Sequence, residues 1–190
     1  TKAPARRLAL VPLESAEEHA RRRAALTGGG YPITTALDTP LNASFTRYAR
    51  LPVLRWEGEE WTYTEVERIT GALAGGLQQA GVAPGDVVGT VLDRGPWQVW
   101  SRLALARCGA VELPLDPDAP LQRINQTLSD ARATTVLCTD PQRHTFPEDV
   151  TVHRPELLSG NFQPPSDLGP ASPLIMIYTS GTTGRPKGVL

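Results

Sequence analysis

Val87-Val88-Gly89-Thr90-Val91-Leu92, Pro96-Trp97-Gln98-Val99-Trp100-Ser101-Arg102-Leu103-Ala104-Leu105-Ala106-Arg107-Cys108 and Val111-Glu112-Leu113-Pro114-Leu115 follow one another with short polar joints. Two short runs that are almost wholly apolar flank a segment of helical length. Such runs suit strands buried on both faces, because a half-solvated strand would alternate apolar and polar residues. Pro96 sits where a first helical residue loses nothing by lacking an N–H, and Gly109 suits a helix stop. The pattern repeats downstream, with a helix from Leu121 to Ala131 opened by Pro120 and a strand from Thr134 to Cys138. Strand–helix–strand–helix–strand of this kind means a parallel sheet flanked by helices, an α/β fold.

Upstream, Leu41, Phe45 and Tyr48 recur at helical spacing. Val53 to Trp56 and Trp61 to Tyr63 flank Glu57-Gly58-Glu59-Glu60 and read as a β-hairpin. A helix then runs from about Glu65 to Ala80. Thr64-x-x-Glu67 is read as its capping box, Val66, Ile69, Leu73 and Leu77 as its apolar stripe, and Gly81 as its stop. The first thirty residues read as a connector whose helix, about Ala16 to Leu26, starts at the capping box Ser15-x-x-Glu18 and ends at Gly28. Its Arg21-Arg22-Arg23 run reads as a solvated face. Residues 141–173 carry seven prolines and read as a surface excursion, with Val150 to Val152 and Glu156 to Leu158 as short elements. Leu174 to Tyr178 is expected to be one more buried strand.

The 190 residues carry a formal charge of −1, which gives no electrostatic case for nucleic acid or an anionic membrane. There is no long apolar run and no charged-then-apolar leader, so a cytoplasmic setting is expected. Cys108, Cys138 and the three histidines (His19, His144 and His153) show no metal-ligand spacing. No protein-held metal is expected, and both cysteines read as buried structural thiols.

The last strand runs into Thr179-Ser180-Gly181-Thr182-Thr183-Gly184-Arg185-Pro186-Lys187-Gly188. Four hydroxyls, three glycines and a lysine within ten residues form a phosphate-binding composition. Glycines let backbone amides approach an anion, hydroxyls donate to its oxygens, and lysine adds a point charge. The other basic residues are 17 arginines and Lys2, so Lys187 is the sole lysine away from the terminus. A flexible surface loop is the bland alternative; the apolar strand before it and the lysine argue against that. The segment is not a Walker loop, because Gly188 replaces the Ser or Thr after the lysine and Val189-Leu190 begins a strand rather than a helix. It does not fit GxGxxG either, which argues against a dinucleotide fold.

These ten residues resemble the phosphate-loop signature of the adenylate-forming superfamily, which comprises acyl-CoA synthetases, luciferases and the adenylation domains of nonribosomal peptide synthetases. Trp61-Thr62-Tyr63-Thr64-Glu65-Val66 looks like the first core motif of the peptide-synthetase branch, and Leu105 to Pro117 like the second. Glu112 departs from the aromatic residue usual at its place. Asp116 and the following Asp118-Ala119-Pro120-Leu121-Gln122-Arg123 are similar to amino-acid adenylation domains, whereas acyl-CoA ligases more often carry Asn at Asp116. Trp61 and Tyr63 are read as core, and Pro114 to Pro117 as a turn leaving a strand. Residues 1–40 resemble a linker from a condensation domain, and residues 41–190 the N-terminal portion of an adenylation domain.

The resemblance implies that Mg-ATP and an amino acid give an aminoacyl-adenylate and pyrophosphate, and that the acyl group then passes to a phosphopantetheine thiol on a carrier domain. It assigns Thr179, Ser180, Gly181, Thr182, Thr183 and Gly184 to the cradle for the β- and γ-phosphates, and Lys187 to charge neutralisation or ordering of the loop. No residue here matches the family's magnesium ligand, specificity pocket or catalytic lysine, so no catalytic residue is assigned and the chain alone is expected to be inactive. The implied partners are the remainder of the adenylation domain, an upstream condensation domain, a downstream peptidyl carrier domain and the amino acid. Three readings stay open: a piece of a full adenylation domain, a non-catalytic remnant or half of a split domain acting through a partner chain, and another acid–thiol ligase.

Overall fold

The structure is a computed structural model, and it describes Glu17 and residues 38–179 and 187–189. The chain divides into two compact units, residues 1–33 and 34–190. The connector and its expected helix at Ala16 to Leu26 lie outside the described residues, apart from Glu17 in a helix.

Helix α1 (Asp38–Arg47) leads to the hairpin β1 (Pro52–Trp56) and β2 (Glu59–Thr62). Its turn is shorter than expected, with only Glu57 and Gly58, both at positive φ (49° and 88°), the geometry that matches strand twist in a two-residue hairpin. Glu59 and Glu60 belong to β2, where Glu60 stands opposite Arg55 and pairs with it at 2.7 Å.

Helix α2 (Tyr63–Gln79) begins two residues before the expected start. Two Thr-x-x-Glu boxes overlap here, and Thr62 with Glu65 is the one formed, not Thr64 with Glu67. Glu65 N donates to Thr62 Oγ1 at 3.3 Å, and Thr62 N donates to Glu65 Oε2 at 2.8 Å. Thr64 is drawn away because its N and Oγ1 both donate to Ala49 O at 3.1 Å.

Strand β3 (Val87–Val91), helix α3 (Pro96–Cys108), strand β4 (Val111–Leu115), helix α4 (Leu121–Asp130) and strand β5 (Thr135–Cys138) follow as the apolar pattern implied. Gly109 ends α3 at φ 72°. A short strand β6 (Thr151–His153) completes a parallel four-stranded sheet in the order β4-β3-β5-β6. Alternate residues of β3 and β5 feed two cores. Val88 and Leu137 pack with Leu73, Leu77, Trp100 and Leu105 on one face. Val91 and Val136 pack with Leu113, Ile124 and Leu128 on the other. Helices α2 and α3 thus cover one face and α4 the other. Trp61 and Tyr63 are partly buried against the first core.

The excursion after β5 does more than cross the surface. Leu158 and Phe162 pack on the first core, and Gly160 N donates to Ala72 O of α2 at 2.9 Å. A Cβ on Gly75 would lie 2.3 Å from the Gly160 backbone, and one on Gly76 would lie 2.6 Å from Ser159 N. Two helix-interior glycines, each unfavourable to the helix by about 1 kcal/mol relative to Ala, are explained by that close approach. The composition of 141–173 hid the contact because the glycines that permit it sit some 80 residues earlier in the chain.

Candidate functional site: the hairpin at the sheet edge

Segment 174–176 extends the sheet beyond β4. Glu112 N donates to Leu174 O at 2.9 Å, and Met176 N donates to Glu112 O at 2.8 Å, which makes Ile175 a parallel bridge partner of Glu112. The chain continues as β7 (Ile177–Thr179) and returns as β8 (Lys187–Val189), antiparallel to it. This corrects the expectation of a buried strand at Leu174 to Tyr178. Its first part, 174–176, lies at the sheet edge against β4, and Leu174, Ile177 and Val189 are 38%, 51% and 56% exposed. Among the described residues nothing else pairs with 174–176, while Ile177 and Tyr178 pair with Val189 and Gly188 of β8.

Thr179, at the exposed end of β7, stands opposite Lys187 at the start of β8. The sheet therefore holds the two ends of the glycine-rich loop together, with strands and not a helix on either side. Ser180, Gly181, Thr182, Thr183 and Gly184 lie outside the described residues.

Three features around the hairpin were not read from the sequence. The first is Glu112. Its side chain points to the α3 face and is 2% exposed. Thr90 Oγ1 donates to its carboxylate at 3.0 Å, and Arg102 Nε of α3 at 2.5 Å. The departure from an aromatic residue is thus a paired carboxylate, with its partners on a neighbouring strand and a helix. The only signal was a charge inside an apolar run.

The second feature is a bond between Tyr178 and Asp130. The phenol donates to Oδ2 at 2.5 Å and joins β7 to the last residue of α4. Partial burial and the adjoining carboxylate push the phenol up to about 12, so it stays protonated and donating through the neutral range. With the partners 48 positions apart in the chain, no local pattern announces the pair.

The third lies at the carboxyl ends of the strands, where α/β sheets bind ligands. Arg143, after β5, reaches Asp93 after β3 at 3.1 Å and Asp118 after β4 at 2.8 Å. These exposed pairs tie three loops together. Asp116 Oδ1 accepts from Asp118 N at 3.0 Å, an Asx turn that Asn would also make. The turn leaving β4 begins at Asp116, because Pro114 and Leu115 are still in the strand. Beside it a cavity of about 240 Å³ is lined by Leu115, Asp116, Arg123, Ile124, Ile177 and Tyr178, among others. That is below the usual volume of roughly 300–1,000 Å³ for a small-molecule site.

Both cysteines are free and buried. Burial pushes the Cys108 thiol up to about 12 and also raises that of Cys138. Among the described residues no helix is long and apolar enough to cross a membrane.

Comparison with known proteins agrees with this geometry. The AMP-binding enzyme family matches residues 41–190. Nonribosomal peptide synthetase opaA of Aspergillus ustus is 34% identical over 144 residues, and vanchrobactin synthetase VabF of Vibrio anguillarum is 31% identical over 144 residues. Each alignment covers 72% of this chain, but only 4% and 5% of those proteins. The N-terminal subdomain of Klebsiella oxytoca NpsA, in complex with 3-hydroxyanthranilyl-AMSN, superposes with a TM-score of 0.76 at 26% identity, over 86% of this chain and 43% of that one. The nonribosomal peptide synthetase FmoA3, in its alpha-methyl-L-serine-AMP bound form, superposes with a TM-score of 0.75 at 28% identity, over 89% of this chain and 20% of that one. The chain thus spans less than half the length of these relatives. It belongs to the AMP-binding enzyme family, with the fold of the N-terminal part of a nonribosomal peptide synthetase adenylation domain.

Proposed function

We propose that this chain supplies the phosphate-holding part of a domain that activates an amino acid with ATP and loads it onto a carrier domain. The single observation behind this reading is the hairpin, whose paired strands bring Thr179 and Lys187 opposite each other at the two ends of a Gly/Ser/Thr loop.

In the first step a carboxylate oxygen of the amino acid attacks the α-phosphorus. The bond from that phosphorus to the bridging oxygen breaks, and pyrophosphate leaves. Little of this needs covalent help from protein; positioning and neutralisation of the β- and γ-phosphates dominate. Backbone amides around Gly181 and Gly184, with the hydroxyls of Thr179, Ser180, Thr182 and Thr183, are suited to hold those oxygens, while Lys187 contributes charge. Among the described residues no three His, Cys, Asp or Glu side chains gather into a metal cage; Mg2+ in such chemistry is held mainly by the phosphates, with one or two carboxylates. In the second step the phosphopantetheine thiol of a carrier domain supplies the acyl acceptor. Its sulfur attacks the acyl carbon and loses its proton, and AMP leaves.

The rest of the adenylation domain would pack on Leu174, Ile177 and Val189, the apolar side chains exposed at this edge. The test is amino-acid-dependent ATP–pyrophosphate exchange by the complete domain against a panel of amino acids. Exchange with one or a few of them supports the reading. Exchange with none, while ATP still binds, points to a non-catalytic remnant, and acyl-CoA formation from a simple carboxylic acid points to another acid–thiol ligase.

A further inference from the structure

We propose that Asp130 is a positioning residue for the phosphate loop and acts through the phenol of Tyr178. The proposal rests on the reading of residues 179–187 as that loop and extends it to a residue outside the motif.

The segment entering the loop is fixed at two places. At Leu174 to Met176 the backbone of Glu112 holds it from β4. At Tyr178, immediately before Thr179, the hold is the side-chain bond to Asp130 at the end of α4. Helix α4 is itself anchored, since Ile124 and Leu128 are each 1% exposed in the second core. A rigid element therefore grips β7 one residue ahead of the loop.

The grip reaches both strands of the hairpin. Tyr178 stands opposite Gly188 in the register, and a Cβ on Gly188 would lie 3.0 Å from Tyr178 Cε2 and 3.1 Å from Cζ. The ring thus covers the backbone next to Lys187, with a glycine leaving room for it. Moving the phenol would release the strand before the loop and the strand after it together. Charge assistance makes a phenol–carboxylate bond roughly twice as strong as a neutral one, which suits a latch at a partly solvated edge.

The test is steady-state ATP–pyrophosphate exchange by the complete adenylation domain, with Lys187→Ala and Thr183→Ala as references. Tyr178→Phe and Asp130→Ala are each expected to raise the KM for ATP about tenfold while the KM for the amino acid changes less than about twofold. Asp130→Asn keeps a neutral acceptor and is expected to recover about half of the loss. The Tyr178→Phe/Asp130→Ala double variant is expected to be no worse than either single one, because both remove the same bond. An unchanged KM for ATP in both single variants overturns the proposal, as do multiplying effects in the double variant or parallel rises in both KM values. If the reference variants keep full exchange, the phosphate-loop reading falls and the latch falls with it. If they lose exchange while the Asp130 variants do not, only the latch falls.

Discussion

Glu112 shows how a charge can stand in an apolar strand. Its carboxylate is satisfied by Thr90 and Arg102, and the exposed half of the Arg102 side chain keeps the pair in touch with water. Replacing Arg102 by Met leaves the carboxylate with one partner and is expected to lower stability by about 1–2 kcal/mol. The urea midpoint should fall accordingly, and changing Glu112 to Leu in the same protein should restore part of it. A midpoint unmoved by Arg102→Met would mean that the pair does not support the strand. For the cysteines, a thiol pushed up to about 12 by burial is almost wholly protonated at pH 8. Cys108 is expected to stay unalkylated by iodoacetamide in the folded protein and to react once unfolded, which intact mass checks. Rapid modification of the native form would contradict its burial. The cysteines were legible in the sequence because their isolation left only packing to explain them. The partners of Glu112 were not, since they meet only after α3 folds back on the sheet.

Helix α2 is where local pattern was right in kind and wrong in register. The Thr-x-x-Glu spacing occurs twice, and the choice between the two boxes was made by a distant carbonyl, that of Ala49. Thr62→Ala removes the cap and is expected to cost about 1 kcal/mol, and Thr64→Ala less; thermal unfolding of both variants checks the order, which the rejected box would reverse. The box also carries a pH dependence. Hydrogen bonds from Thr62 N and Oγ1 hold the Glu65 carboxyl below its ordinary value. Its contribution is therefore fully present above the ordinary glutamate range and is lost as pH falls through the lowered value. Glu65→Gln should flatten that acid limb. The alternation from β3 to β5 was legible almost to the residue because buried parallel strands and their covering helices leave unmistakable apolar runs. The edge at 174–176 was not, because an apolar run looks the same whether one side or both are covered.

On the scale of the whole molecule, a parallel sheet carries at one margin a hairpin whose far side is apolar and unpaired among the described residues. Such edges recruit other strands. The 190-residue chain by itself is expected to associate with rising concentration, and Ile177→Lys is expected to reduce this in analytical ultracentrifugation. A monomer at all concentrations would mean that the edge is covered. The composition of the loop was fully legible in the sequence, whereas the latch at Asp130 and the one-sided edge needed the three-dimensional arrangement. The phosphate-holding role of the loop is decided by amino-acid-dependent ATP–pyrophosphate exchange in the complete domain carrying Thr183→Ala or Lys187→Ala. Loss of most exchange in each variant, with the fold retained, is the result expected of such a loop; undiminished exchange in both would contradict it.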